Sequence, residues 1–381
     1  MSNSFKSNDN VVQSIDIEED SPISFEEIES AAKQAMSTPA FSYIASGAGG
    51  EETVRNNADA FKKYSITPRL LNDVSKLDTS VTIFGQTYPT PLLLAPVGVL
   101  KLADEQGDLA VARAAAKYKV PFIQSTVSSY SIEDVAQATS DSSKWFQLYW
   151  STNEEISFNM VKRAEEAGYK AIVLTIDTIT LGYREKDMRH RFSPLALGYG
   201  QGNFESDPVF LSTLEKVNSR TIVQGIIDNI NYPALNWEHV KELKKRTSLP
   251  LVLKGILHPE DALLAIEYGV DGIIVSNHGG RQLDGVISSI DALPEIVKVV
   301  DSQIPVLFDS GIRRGIDALK VLALGADAVL VGRPYVYSLA AGGEKGVGQF
   351  LANFLQDLQT SMMLSGVKDV KELRQLKIAR V

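Results

Sequence analysis

From Pro91 onward the chain repeats one theme eight times: a short apolar run, a polar or glycine-containing loop, then a stretch with helical spacing. The runs are Leu92–Ala95, Phe122–Ser125, Trp145–Tyr149, Ala171–Asp177, Leu251–Lys254, Gly272–Ser276, Val306–Asp309 and Ala328–Gly332. Helical patterns such as Asp108–Tyr118 and Ile316–Leu324 lie between them. Eight strand–helix units in order predict an α/β fold, a (β/α)8 TIM barrel. A length of 381 residues alone would allow two or three domains, but barrels of this kind exceed the usual domain size.

A barrel collects its chemistry where strands end. Here the strand ends carry Gln147 and Tyr149, Thr175 and Asp177, Lys254, Ser276 and His278, and Asp309. The densest stretch is Val275-Ser276-Asn277-His278-Gly279-Gly280-Arg281-Gln282. An imidazole takes a proton near neutral pH, and a guanidinium three residues on can fork onto a carboxylate or phosphate. Lys254 suits either a Schiff base or a fixed cation beside an electron-rich ring. The absence of any need for a His–Arg clamp in Schiff-base barrels favours the cation. Asp309-Ser310-Gly311-Ile312-Arg313 follows the seventh run and Gly332-Arg333-Pro334 the eighth, the positions of a phosphate cradle. Whether that phosphate belongs to substrate or cofactor stays open. Gly198-x-Gly200-x-Gly202 follows no strand and opens no helix in the dinucleotide manner, so a mononucleotide is expected rather than NAD.

The spacing breaks once. About sixty residues separate the fourth run from the helical pattern near Trp237, and a connection that long over the catalytic face is expected to be a lid, at about 178–236. Ahead of the barrel, residues 1–20 read as a disordered acidic tail. Residues 21–90 read as a helical segment leading to the barrel at 91–381. Ser24-Phe25-Glu26-Glu27 is a capping box for its first helix, which Pro39 should end. There are no cysteines, which excludes disulfides and thiolate chemistry, and only four histidines, too few for a His-rich metal centre. The net charge of -9 argues against nucleic acid and anionic membranes as partners. With no signal-like N-terminus and no membrane-length apolar run, a cytoplasmic protein is expected.

With these residues placed, the chain resembles the FMN-dependent L-2-hydroxy acid oxidases from about Phe41 to about Val370. The motif Ser276–Gln282 carries the likeness most specifically. It is supported by Phe41–Gly47, Phe146–Tyr149, Leu174–Asp177, Leu253–Gly255, Asp309–Arg313 and Gly332–Pro334. The resemblance implies that His278 is the base and that Asp177 holds its protonated form. It implies that Arg184 and Arg281 bind the substrate carboxylate, helped by the hydroxyls of Tyr43 and Tyr149. For FMN it implies contacts from Pro96, Val97, Gly98, Ser125, Gln147, Thr175, Lys254 and Ser276. Asp309, Gly311, Arg313, Gly332 and Arg333 would hold the ribityl chain and phosphate. It also implies a small 2-hydroxy acid and oxygen as reactants, and a homo-oligomer, a tetramer or octamer.

Within that family, Gly98 and the segment Asn203–Phe210 look like lactate 2-monooxygenase, in which retained pyruvate is decarboxylated to acetate and carbon dioxide. The alternative is a lactate oxidase releasing pyruvate and hydrogen peroxide. A non-redox barrel that binds a phosphorylated metabolite is the competing class; the His, Arg, Lys and Asp at the strand ends favour the enzyme.

Overall fold

The eight apolar runs close on themselves. In the computed structural model, which describes residues 22–139 and 142–381, they are β1 (Leu92–Leu94), β2 (Phe122–Gln124), β3 (Lys144–Leu148), β4 (Ile172–Thr175), β5 (Leu251–Ile256), β6 (Gly272–Val275), β7 (Val306–Phe308) and β8 (Ala328–Val331). All pair in parallel and in chain order, and β8 returns to β1 through Val329–Leu92, Leu330–Leu93 and Val331–Leu94. The expected (β/α)8 barrel is the observed fold. Alternation explains why the runs are apolar throughout. Leu93, Ile123, Trp145, Val173, Val252, Ile274, Leu307 and Leu330 fill the interior, while Leu92, Leu94, Phe146, Leu174 and Val275 pack outward on the helices.

Two sheets outside the barrel have no counterpart in the sequence reading. Strands Val81–Ile83 and Gln86–Tyr88 form a hairpin whose turn residues, Phe84 and Gly85, both have positive φ (50° and 74°), as a two-residue hairpin turn requires. Ile83 and Tyr88 pack into the barrel's interior cluster, and the Phe84 ring lies 5.6 Å from that of Trp145. The hairpin therefore plugs the end of the barrel opposite the catalytic face. Tyr64–Thr67 pairs antiparallel with Lys377–Arg380, tying the start of the chain to its end.

Helices α1 (Phe25–Ala35), α2 (Thr38–Ala45) and α3 (Glu52–Asp59) precede the barrel. The capping box is formed: Ser24 Oγ accepts from Glu27 N at 3.2 Å, and Glu27 Oε2 accepts from Ser24 N at 2.9 Å. Pro39 acts differently from expectation. α1 has already stopped at Ala35, and Pro39 stands in the first turn of α2 behind its cap, Ser37, where its missing N–H costs nothing. The acidic tail falls outside the described residues.

The connection after β4 is not structureless. It carries short helices at Glu185–His190, Gly202–Glu205 and Pro208–Ser212, and a longer one at Ser219–Ile230, before the helix Trp237–Arg246 that packs on the barrel. Its first part exposes Ile179, Leu181, Tyr183, Met188 and Leu197, whereas Asn203, Phe204, Asp207 and Phe210 are fully buried. Among the described residues no helix is long and apolar enough to cross a membrane.

Candidate active site

The loop after β6 is held in a conformation that few sequences tolerate. His278, Gly279 and Gly280 have φ of 57°, 63° and 76° in succession, so two of the three must lack a side chain. Space is as restrictive as torsion: a Cβ on Gly280 would stand 2.7 Å from Val54 Cγ2 and 2.8 Å from Val54 N. The loop is tied at every residue. His278 N donates to Ser276 Oγ (3.0 Å), Gly279 N to Ser310 Oγ (3.0 Å) and Ala48 N to Gly280 O (2.8 Å). Asn277 and Asn57 exchange amide hydrogen bonds of 2.7 Å in both directions, fixing α3 against the loop. The strain at His278 is thus imposed by its surroundings.

His278 Nδ1 lies 2.8 Å from Asp177 Oδ1, which also accepts from Thr178 Oγ1 at 3.0 Å. With Nδ1–H donated to the carboxylate, Nε2 is left free as an acceptor. Burial lowers the His278 pKa below 6.5, opposed by the Asp177 charge, so the ring is neutral at pH 7. Burial raises the Asp177 pKa, but the Lys254 charge and the imidazolium that His278 carries at acid pH outweigh it, so the carboxyl ionises below its ordinary value. Burial and the Asp177 charge push the Tyr149 phenol up to about 12, leaving it a donor. Of the other histidines, His258 follows β5 but caps the next helix through Glu260 N (3.2 Å), while His239 lies near Tyr232 and Trp150.

One cavity joins the strand ends. Its lining brings together Tyr43, Tyr149, Arg184, His278 and Arg281 with Gly311, Arg313, Gly332 and Arg333, and with Pro96, Val97, Gly98, Lys254 and Asp309. Asp177, Ser125, Gln147, Thr175 and Ser276 are not among its lining residues; Asp177 and Ser276 bond His278 and Lys254, which are. Ser276 Oγ accepts from Lys254 Nζ at 3.0 Å, and Lys254 also pairs with Asp309 at 3.1 Å. Burial depresses the Lys254 pKa, but Asp309, Asp177 and Tyr149 more than compensate, so it is a fixed cation.

The cavity is built for anions. Arg281 Nη1 donates to the carbonyls of Tyr43 (2.7 Å) and Ser46 (2.8 Å), leaving its other N–H groups unspent. Arg333 is spread over the carbonyls of Ile44, Gly279 and Ser46, and Arg313 lies 4.4 Å over the Phe25 ring. Among the described residues none of these three guanidiniums has a carboxylate within ion-pairing distance. Burial and the Arg184 charge push Arg281 down to about 9, still cationic at neutral pH. Arg184 donates to Arg281 O and to Gln282 Oε1, both at 3.2 Å.

Several residues that position the site went unread in the sequence. Gln282 bridges both sides, its Nε2 on Asp177 O and Thr180 O and its Oε1 under Arg184. Ser46, Ser310, Thr178 and the Asn57–Asn277 pair act through contacts between segments far apart in the chain, for which no local pattern exists. Outside the barrel loops the cavity is walled by Phe25, Glu29, Tyr43, Ile44, Ala45, Val54, Asn57 and Ala58, all from the N-terminal helices and their connections; the connection after β4 contributes Arg184.

A Cβ on Gly98 would meet Val127 Cγ2 at 2.4 Å and Val127 O at 3.1 Å, so a methyl would press first on Val127 rather than enter the cavity directly.

The FMN-dependent dehydrogenase family matches residues 32–380. The chain belongs to that family. Its cofactor is FMN, and its coarse activity is FMN-dependent oxidation of a 2-hydroxy acid. An L-lactate oxidase of Lysinibacillus sphaericus is 58% identical over 359 residues, covering 94% of this chain and 93% of that one. Glycolate oxidase 3 of Arabidopsis thaliana is 42% identical, covering 92% and 94%. Crystal structures of mandelate oxidase superpose with a TM-score of 0.86 at 39% identity, over 94% of this chain and 99% of theirs. The residues present fit FMN: the buried amide nitrogen of Gln147 has no partner, and two glycine–arginine loops face one cavity.

Proposed function

We propose that the protein oxidises L-lactate with oxygen, releasing pyruvate and hydrogen peroxide. The observation that carries the reading is that His278, held 2.8 Å from Asp177, lines one cavity together with Arg184 and Arg281. The lactate carboxylate would fork onto Arg281 and Arg184, with the Tyr43 and Tyr149 hydroxyls as further donors. That binding directs the α-carbon and its hydroxyl towards His278. Nε2 takes a proton from substrate, and Asp177, already hydrogen-bonded to Nδ1, stabilises the imidazolium that forms. When bound, FMN would supply the acceptor for the two electrons and the substrate's second hydrogen, with oxygen as the final oxidant, leaving as hydrogen peroxide. Gln147, Lys254, Ser125, Thr175, Ser276 and the Pro96–Gly98 backbone would hold its ring, and Asp309, Gly311, Arg313, Gly332 and Arg333 its chain and phosphate. Lys254 would supply a fixed positive charge to that ring.

Lactate is favoured by the 58% identity to an L-lactate oxidase. The same identity and the single contribution of the β4 connection to the cavity wall favour product release. A second reading, in which pyruvate stays and is decarboxylated to acetate and carbon dioxide, is favoured by the burial of Asn203, Phe204 and Asp207, which fixes part of that connection in place. One aerobic turnover assay quantifying pyruvate, hydrogen peroxide and acetate together tests both. Stoichiometric peroxide and pyruvate are expected; acetate as main product would establish the second reading. A preparation that cannot be reconstituted with FMN, or that turns over no 2-hydroxy acid, would overturn both.

A further inference from the structure

Behind the cavity wall, one segment of the β4 connection is bonded into the barrel rather than laid over it. Asn203, fully buried, donates from Nδ2 to two successive carbonyls, Ser125 O and Thr126 O, both at 3.0 Å. Those two residues hold Gln147 and Tyr149. Gln147 Oε1 accepts from Ser125 Oγ (3.1 Å) and Thr126 N (3.2 Å). Thr126 Oγ1 donates to Gln147 O (2.7 Å) and accepts from Tyr149 N (2.9 Å). Asn203 is itself clamped from the far side, since Arg163 Nη1 donates to Asn203 O (2.9 Å) and to Asp207 Oδ2 (3.2 Å). Asp207, equally buried, caps the helix Pro208–Ser212.

We infer that Asn203 is a positioning residue: through the Ser125–Thr126 backbone it sets the orientation of the Gln147 amide and the placement of Tyr149. The reason lies in Gln147. Its oxygen is committed to Ser125 and Thr126, so its unpartnered nitrogen becomes the donor left for a ligand. An amide presents either end depending on which donors surround it, and here those donors sit on a loop whose carbonyls Asn203 holds. Asn203 Oδ1 has no partner, so its hold on the loop rests on the two Nδ2 bonds alone. The assignment of Gln147 and Tyr149 to cofactor and substrate rests on the function proposed above; the mechanical link does not.

Asn203→Asp tests it, because a carboxylate of the same shape cannot donate to two carbonyls. In the apoprotein, amide hydrogen exchange at Thr126 and Tyr149 should accelerate. On reconstitution, FMN affinity and the limiting rate of flavin reduction at saturating lactate should each fall about tenfold or more. Combining Asn203→Asp with Gln147→Ala should weaken FMN no further than the worse single change, since both act through one group. A merely structural anchor would raise exchange only around residues 200–210 and leave FMN affinity and the limiting rate as in wild type. That pattern, or losses that multiply in the double variant, would overturn the inference. If Asn203→Asp does not fold, Arg163→Gln loosens Asn203 from behind and must show the same signature. Should the wild-type protein prove inactive on 2-hydroxy acids, the proposed function fails, while the exchange measurement still decides the role of Asn203.

Discussion

His278 combines strained backbone, a carboxylate partner and a depressed pKa, and each has a measurable consequence. His278→Gln should retain FMN but lose on the order of 10² to 10⁴ in the rate of flavin reduction, the usual worth of a positioned base. A rapid-mixing trace of near-normal reduction would remove it from the mechanism. The sign of the pH dependence follows from the direction of its shift. The working form is neutral imidazole and its pKa lies below 6.5, so kcat/KM should rise with pH through that lowered value and be level at neutrality. Asp177→Asn removes the charge that opposes burial, so the acid limb should move to still lower pH even as the rate falls. Arg281→Lys should raise KM for lactate, because an ammonium cannot keep the Tyr43 and Ser46 carbonyls and also fork onto a carboxylate. An unchanged KM would take Arg281 out of the clamp.

At the scale of elements, what matters is how loops are held to one another. Asp108 lies fully buried in the first turn of the helix Gly107–Lys117, where its Oδ2 accepts from Ser129 N at 3.1 Å and its Oδ1 has no partner. Burial pushes its pKa up to about 6. The folded state therefore prefers the protonated form, and stability is lost as pH rises from about 4 through about 6. Asp108→Asn keeps the acceptor and removes the charge. It should be more stable than wild type at pH 8, by up to about 3 kcal/mol, with the advantage shrinking towards pH 5. Thermal unfolding at the two pH values checks it. The same loop, residues 125–130, receives Gly200 N on Ser129 Oγ and Gly202 N on Ser128 O, so the β4 connection is welded where it meets β2 and exposed before that point.

For the whole molecule the catalytic face and the plugged end are separable. Ile83, 1% exposed, belongs to the hairpin that fills the far end of the barrel. Ile83→Ala should cost roughly 2–5 kcal/mol of stability, the range for emptying a packed core position. It should leave KM and kcat for lactate unchanged below the melting transition. A change in KM would show that the plug is coupled to the cavity. Homo-oligomerisation into a tetramer or octamer is a proposal that light scattering checks directly, with a monomer as the contrary outcome.

The barrel was legible because its strands are buried on both faces, so each had to be an unbroken apolar run, and because a parallel strand needs a helix to return. Polar residues at the ends of such runs stand out for the same reason. That is how His278, Asp177, Lys254 and Asp309 could be picked from the chain, and why two glycine–arginine loops pointed to a phosphate. The hairpin Val81–Tyr88 and the pairing of Tyr64–Thr67 with Lys377–Arg380 escaped because strands of three or four residues carry too little periodicity. What only the tertiary structure decided is who holds whom. Asn57 meets Asn277, Gln282 bridges Asp177 and Arg184, and Asn203 grips Ser125 and Thr126, each across tens or hundreds of residues. It also decided that the N-terminal helices, rather than the β4 connection, supply most of the cavity's outer wall. A hydrogen bond between distant segments leaves no period in the sequence; it exists only once the barrel has closed and brought the strand ends to one face.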